Sequence, residues 1–444
     1  MLLISLLEVG SGFSPTINSL HRNGITIKLY STNTDSKTGK GSSTSTSTST
    51  DTSSTSTTTT VVRKPKAKPR TGIAQRILDY ALTSPLWKLV LVPQARNNIV
   101  KTAEANGIPW EKSYQWFMTQ EGPWNVNSNK AKFKKKNYDT RLYPEYYKKE
   151  FHAYQDGNLS WNAAIEQELA SRAVGARNFP TLGADGEDAF RSSFEQAILR
   201  LGGNVPPGGI IVDLGCGTGT STRRLGSLFP KSDKLLGIDL SPYFITVGQT
   251  LLELAPRKRM GMEDDAAREW VTSIERDERI ELRVGDAGNI ELDDESVDAV
   301  NLSLVIHELP IDVTIQVCQE AWRILKPSGQ LFISEMDFDS PAYAAQRENA
   351  MLFSLLRCTE PYLDDYADGV EEVREVLVQK FQNVKITAAT GRHCALVATK
   401  GDGSISRDGG EKDVNGVFED TRFDANGNYA VDDTHLKVWE SKED

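Results

Sequence analysis
The chain has 444 residues, 39% of them hydrophobic and 25% charged, which is ample for a domain-sized core and leaves room for more than one domain. No apolar run approaches the roughly 20 residues that a membrane-spanning helix needs, so a soluble protein is expected. The cysteines (Cys216, Cys318, Cys358, Cys394) are scattered, with no CxxC pair and no histidine at zinc-ligand spacing, which argues against a disulfide framework or a structural zinc.

The net charge of −10 hides an asymmetry along the chain. Residues 61–150 hold 18 Lys or Arg against 7 Asp or Glu, whereas residues 151–444 net −22. A basic segment on an acidic body fits nucleic acid or an anionic membrane surface, but the favoured reading is a solvated helix face beside the basic edge of a targeting segment.

In chain order, residues 1–70 read as a targeting presequence followed by a linker. The first 30 residues hold one acid, a short apolar start and many hydroxyls, which is transit-peptide composition. "MLLISLL" followed by "GSGFSP" resembles the bipartite presequences of complex plastids, whereas "IKLYST" resembles a mitochondrial cleavage site. The plastid is the favoured compartment, with the mitochondrion as the alternative. "SSTSTSTSTDTSSTSTTTT" (42–60) has too little apolar surface to offset chain entropy and is expected to be disordered.

Residues 71–179 show helical spacing and dense tryptophan, including Trp87, Trp110, Trp116, Trp124 and Trp161, next to the basic run "KAKFKKK" (130–136). The tryptophans are expected to pack this extension onto the main domain; stacking on nucleic acid is the competing use. Residues 180–400 alternate short apolar runs with helical stretches, the pattern of an α/β domain with a mainly parallel sheet. Strands are expected at 210–214, 234–239, 280–285, 299–303 and 330–335. Helices are expected at 187–201, 219–229, 242–254, 264–276, 311–325 and 370–380. "VKITAATGRHCALVATK" reads as an antiparallel hairpin that closes the sheet. Residues 401–444 net −7 and are expected to form a disordered or loosely attached acidic tail.

"GGIIVDLGCGTGTSTRRLG" (208–226) carries the chemistry. An apolar strand ends at Asp213 and Leu214, and Gly215, Gly217 and Gly219 follow at every second position. Such a loop between a strand and a helix lets the backbone turn sharply and lets a ligand approach. The spacing is GxGxG. It matches neither the GxGxxG dinucleotide fingerprint nor the GxxxxGK[ST] phosphate loop.

"VDLGCGTG" resembles the first motif of class I S-adenosylmethionine-dependent methyltransferases, and further stretches follow in that family's order: "LLGIDLSPYFI", "RVGDAGNIEL", "SVDAVNLSLVIHELP" and "EAWRILKPSGQLFISEMD". The resemblance covers about residues 180–400. Within the family the chain is similar to quinone-biosynthesis methyltransferases of the type 11 kind. "WNAAIEQELASRAVGARNFP" and "TEPYLDDYAD" look like a plastid and cyanobacterial branch of them.

The resemblance implies a Rossmann-like α/β fold with a mostly parallel sheet, a closing antiparallel hairpin and a helical N-terminal extension. It also implies S-adenosyl-L-methionine as cofactor. Gly215, Cys216, Gly217 and Gly219 would pass under the ligand, with Asp213 near its ammonium group. Asp239, with Leu240 beside it, would take the ribose hydroxyls; Asp286 and Ala287 would read the adenine; Ser303 would face the ligand at the end of the fourth strand. A sulfonium amino acid needs carboxylate and carbonyl oxygens rather than a phosphate nest, which agrees with this set. His307 is the candidate base or substrate contact, because it lies just past the fourth strand and imidazole titrates near neutrality; packing or capping is its alternative. Glu308, Glu335 and Asp337 are further candidates. Tyr362 and Tyr366 would line a lid or pack an added helix. No metal is suggested.

The expected activity is methyl transfer by in-line displacement to a small quinone, phenolic or lipid-like acceptor. The extension would cover the pocket or touch a membrane surface. An RNA or protein methyltransferase and a non-catalytic cofactor-binding assembly protein are the alternatives. Nucleic acid is not the expected partner, because residues 151–400 net −15 and would repel phosphate. The oligomeric state stays open.

Overall fold
A computed structural model describes residues 92–124, 139, 142–152, 154–258, 277–357, 359–402, 416–432 and 434. The chain divides into a unit of residues 12–68, which lies outside the described residues, and a second unit that contains everything described. The presequence, the serine/threonine linker, the basic run at 130–136 and the helix expected at 264–276 also lie outside them.

The sheet follows the apolar runs. Its strands are β1 (Ile210–Leu214), β2 (Lys234–Asp239), β3 (Ile280–Val284), β4 (Val297–Ser303), β5 (Leu325–Met336), β6 (Asn383–Ala388), β7 (His393–Thr399) and β8 (Val417–Asp420). Their spatial order is β3-β2-β1-β4-β5-β7-β6-β8. β1 pairs in parallel with β2 on one side and β4 on the other, while β7 runs antiparallel to both β5 and β6. The chain steps outward from β1 to β3, then restarts on the far side of β1 with β4. That switch point opens a crevice beyond the strands' carboxyl ends.

Side chains alternate between two apolar layers, as the two-residue period of a strand requires. Val212, Val300, Leu331 and Ile333 face α7 (Ile311–Ile324) and α10 (Leu363–Lys380). Ile211, Ala299, Phe332 and Val397 face α4 (Gly186–Arg200) and α5 (Thr220–Leu228). β1 is therefore a near-continuous apolar run because both of its faces are covered.

The extension is part of the same body. α1 (Val92–Ala105), α2 (Trp110–Thr119) and α3 (Trp161–Asn178) share an apolar cluster with Tyr243, Phe244, Val247 and Leu251 of α6 (Pro242–Lys258). Trp161 stands edge-on to Tyr243 at 4.8 Å, so it serves packing, as expected for the tryptophans. α3 and α4 touch backbone to backbone: a Cβ on Gly175 would stand 2.2 Å from the Glu187 Cα. A boundary between residues 179 and 180 therefore separates nothing in the core.

The reading of residues 401–444 as a loose tail is corrected over 416–432. β8 adds to the sheet in parallel with β6. The buried Arg422 guanidinium bonds Asp420, Asp337 and Asp339, and the Tyr429 hydroxyl donates to Asp337 Oδ2 at 2.8 Å. Composition missed this because ion pairs, rather than apolar residues, anchor the segment. Asp337 is thereby committed to holding Arg422 and is not free for catalysis. Tyr366 is buried and donates its hydroxyl to the Met336 carbonyl, so it packs α10 onto the sheet rather than lining a lid. No helix among the described residues is long and apolar enough to cross a membrane.

Candidate functional site
The glycine loop leaves β1 with Gly215, Gly217 and Gly219 all in the left-handed region, at φ +68°, +56° and +88°. Gly215 has a second constraint, because a Cβ there would stand 2.7 Å from Val305. The Gly215 and Cys216 amides donate to the Ile238 carbonyl at 2.8 and 3.1 Å, which ties the loop to the end of β2.

One cavity lies over this loop at the switch point. Gly215, Cys216, Asp239, Leu240, Asp286, Ala287 and Ser303 line it, together with Glu308 and Tyr362, so the structure brings these predicted residues together. Asp239 is buried at the end of β2. Its Oδ1 accepts from the Ser241 amide at 2.8 Å and the Tyr147 hydroxyl at 3.3 Å, and its Oδ2 accepts from the Gly217 amide at 2.9 Å. Burial pushes its carboxyl above the usual carboxylate range, against those hydrogen bonds. Asp286 accepts the Gly288 amide at 2.8 Å, which fixes the turn after β3. Cys216 packs as a buried side chain, and burial pushes its thiol well up.

Four other predicted residues stand behind the wall or under a cover. The Asp213 carboxylate is 1% exposed and accepts from Ser221 Oγ (2.6 Å), Thr222 Oγ1 (2.7 Å) and Asn301 Nδ2 (2.7 Å). It braces β1 against β4 and the start of α5, which corrects the expectation that it meets the ligand's ammonium group. Gly217 lies beneath Gln167, whose Nε2 is 2.1 Å from where a Gly217 Cβ would be. His307 is fully buried, with Nδ1 2.6 Å from Glu335 Oε1 and Nε2 3.5 Å from Glu360 Oε2. Neither His307 nor Glu335 lines the cavity, which corrects their assignment as base and substrate contacts. The cause is β5, which lies beside β4 and places Glu335 against the imidazole. Gly219, for its part, caps α5.

Long-range packing supplies further residues that sequence patterns did not reveal. From α3, Gln167 Oε1 accepts the Thr218 amide at 2.6 Å, and Glu168 accepts Thr218 Oγ1, Thr220 Oγ1 and Arg223 at 2.9, 2.8 and 2.5 Å. Burial pushes the Glu168 carboxyl up, but Arg223 and the hydroxyls outweigh it and the net shift is downward. From α4, Arg191 reaches the cavity and donates to Ser171 Oγ (2.8 Å) and Ser303 Oγ (3.3 Å), while its buried Nε has no hydrogen-bond partner. A strap at residues 142–152 brings Tyr146, Tyr147, Lys149 and His152 to the cavity. Tyr362 donates its hydroxyl to the Tyr146 carbonyl at 3.1 Å, and Lys149 Nζ stands 4.5 Å from the Tyr362 ring centroid. The sequence marked α3 only through the resemblance of "WNAAIEQELASRAVGARNFP", in which Glu166 and Glu168 are buried charges.

A parallel sheet, a glycine loop at its switch point and acids at the next two strand ends define a Rossmann-like nucleoside-binding protein. The residues fit an S-adenosyl amino acid: paired acceptor oxygens on Asp239, a carboxylate at Asp286 and, for a carboxylate, a half-buried cation at Arg191, whose Nε stands 3.7 Å from Glu187 Oε1. Residues 212–333 match the family described as methyltransferase domain, which agrees with the class I S-adenosylmethionine-dependent methyltransferase resemblance of that segment. It is 30% identical over 131 residues to a demethylmenaquinone methyltransferase of Lactobacillus johnsonii, covering 30% of this chain and 45% of that protein. It is 27% identical over 192 residues to an arsenite methyltransferase of Halobacterium salinarum, covering 42% and 43%. The chain thus spans under half the length of these curated relatives. Among solved structures, a SAM dependent methyltransferase from Aquifex aeolicus aligns with 15% identity and a TM-score of 0.31, covering 47% of this chain and 92% of that one. Human N-acetylserotonin methyltransferase in complex with SAM aligns with 17% identity and a TM-score of 0.33, covering 55% and 59%.

Proposed function
We propose that this chain transfers a methyl group from S-adenosyl-L-methionine to a small-molecule acceptor of quinone, phenolic or lipid-like character. The observation that carries the reading is one cavity lined together by Asp239, Asp286, Ala287 and Arg191 and by Tyr146 and Tyr147 of the strap and Tyr362. When bound, the cofactor supplies a methyl carbon activated by a sulfonium. Asp239 would hold the ribose hydroxyls, Asp286 and Ala287 the adenine, and Arg191 the carboxylate. The chain's contribution is orientation, worth roughly 7–11 kcal/mol when reacting groups are held in line. Gln167 lies over Gly217, and Tyr147 of the strap reaches Asp239 beside the loop. The curated relatives' printed names, a demethylmenaquinone and an arsenite methyltransferase, support a small acceptor. The plastid remains the proposed compartment, on presequence composition, with the mitochondrion as the alternative.

Calorimetric titration of the full chain with S-adenosylmethionine tests the cofactor. Saturable binding is expected, and Gly217→Arg, at a left-handed position under Gln167, should abolish it. Absence of binding by the native chain would defeat the proposal. Labelled cofactor incubated with plastid lipid extract, RNA and protein fractions should mark the lipid extract. Label in RNA or protein alone would replace the acceptor class, and binding without any transfer would favour an assembly role.

A further inference from the structure
Glu308 sits in the turn that follows β4 and lines the cavity, one residue from the buried His307. Across the wall, His152 of the strap brings Nε2 within 3.7 Å of Glu308 Oε1 and 3.8 Å of Glu360 Oε1. Glu360, fully buried just ahead of α10, stands in turn 3.5 Å from His307, which is held by Glu335. Carboxylates and imidazoles therefore alternate in one row, Glu335–His307–Glu360–His152–Glu308, and the last two members face the cavity. His152 is held there at some cost. Its backbone has φ +48°, rare for a residue with a side chain, its amide donates to the Thr359 carbonyl at 2.9 Å, and its buried Nε2 has no hydrogen-bond partner. Strained backbone of this kind collects at functional sites.

We propose that Glu308 is the proton acceptor of this site, with His152 as its positioning partner, and that the acceptor substrate attacks through a group bearing an ionisable hydroxyl. The assignment rests on the methyl-transfer reading. In the step, the substrate's O–H bond breaks, its electron pair stays on oxygen as the nucleophile, and the proton passes to the Glu308 carboxylate. Glu308 then releases it through the cavity before the next turnover. Burial pushes the Glu308 carboxyl up to about 7, against the pull of His307, so both protonation states are accessible at neutral pH. The groups around it are Tyr147 and His152 of the strap, His307 of its own turn, Glu335 of β5 and Asp239 of β2; burial holds the His152 imidazole well below its ordinary range, so it stands neutral beside Glu308. Glu308 and His152 line the cavity and are placed to act where the fully buried His307, which does not line it, is not.

The full chain and its Glu308→Gln and His152→Asn variants provide the test. An infrared pH titration of the wild type should show a protonated-carboxyl band that disappears as pH rises through about 7 and is missing in Glu308→Gln. Calorimetric affinity for S-adenosylhomocysteine should agree within about twofold in all three chains. Labelled transfer to a dithionite-reduced plastid lipid extract should rise with pH in the wild type and level off near neutrality. Glu308→Gln should be slower by about 10²-fold or more and lose that limb, in line with the usual size of base catalysis. His152→Asn should keep the limb but shift its midpoint. A Glu308 carboxyl that titrates in the ordinary carboxylate range, or Glu308→Gln transferring at the wild-type rate, overturns the assignment alone. A wild-type chain that binds cofactor but transfers no label overturns the methyl-transfer reading and the assignment together.

Discussion

Replacing Gly175 with alanine probes the contact that holds the cover over the glycine loop. α3 and α4 approach so closely that the new Cβ would lie 2.2 Å from the Glu187 Cα and 2.4 Å from its amide nitrogen. Carbon atoms at ease stand about 3.5–4.0 Å apart, so the helices must separate by more than 1 Å. The obstacle is backbone, which cannot rotate aside as a side chain would. Alanine is the better helix former by about 1 kcal/mol, which partly offsets the clash. Overpacking of this kind costs roughly 1–3 kcal/mol or more, and with rigid backbone in the way the upper end applies, leaving a net loss of about 1–2 kcal/mol. Separation also moves Gln167 off Thr218 and Ser171 off Arg191, so affinity for S-adenosylhomocysteine should fall along with stability. Urea denaturation followed by tryptophan fluorescence, with calorimetric titration on the same samples, measures both. Gly391→Ala is the control: nothing lies within 4 Å of its Cβ position, and it should behave as wild type. A Gly175→Ala chain within about 0.5 kcal/mol of wild type and with unchanged affinity would refute the close-contact argument.

Three further outcomes follow from the same geometry. Arg422→Met leaves Asp337 buried without its cation, so unfolding free energy should drop by about 3–5 kcal/mol and limited proteolysis should cut near residue 416 first. Tyr147→Phe removes a hydrogen bond to Asp239 Oδ1 and frees that oxygen for a ligand hydroxyl. S-adenosylhomocysteine should then bind up to about tenfold tighter by calorimetry; weaker binding would mean that Tyr147 itself touches the ligand. Glu308 has a carboxyl raised from 4.5 to about 7 in the folded chain. The unfolded chain releases this proton first, so the wild type loses stability as pH rises between those values, and the full penalty of up to about 3 kcal/mol applies above them. Glu308→Gln should therefore gain on the wild type across that window in denaturation measured at each pH, and a constant difference would contradict the shift.

Sequence alone determined the features that depend on neighbours along the chain. The apolar runs at 210–214 and 234–239 matched their strands, because a central strand covered on both faces must be apolar throughout. Gly215 could be placed because a left-handed turn at a strand's end needs glycine, and Asp239 and Asp286 through the family resemblance, which sets them at the ends of the next two strands. What each polar side chain does was decided by residues far away in the chain. Asp213 looked like a ligand to the cofactor until Asn301, 88 residues on, took one of its oxygens. His307 looked like a base until β5 set Glu335 against it, while Glu308, its neighbour in the same short turn, faces the cavity. Arg191, Gln167 and the strap's tyrosines and His152 carry no local signature, since each reaches the site only through the packing of a helix or strap against a loop formed elsewhere. Arg422 likewise had no apolar pattern to mark it, yet it holds the last strand in place. A hydrogen bond or an ion pair is made by whichever partner the fold brings within about 3 Å, and linear spacing records no such distance beyond a turn or two.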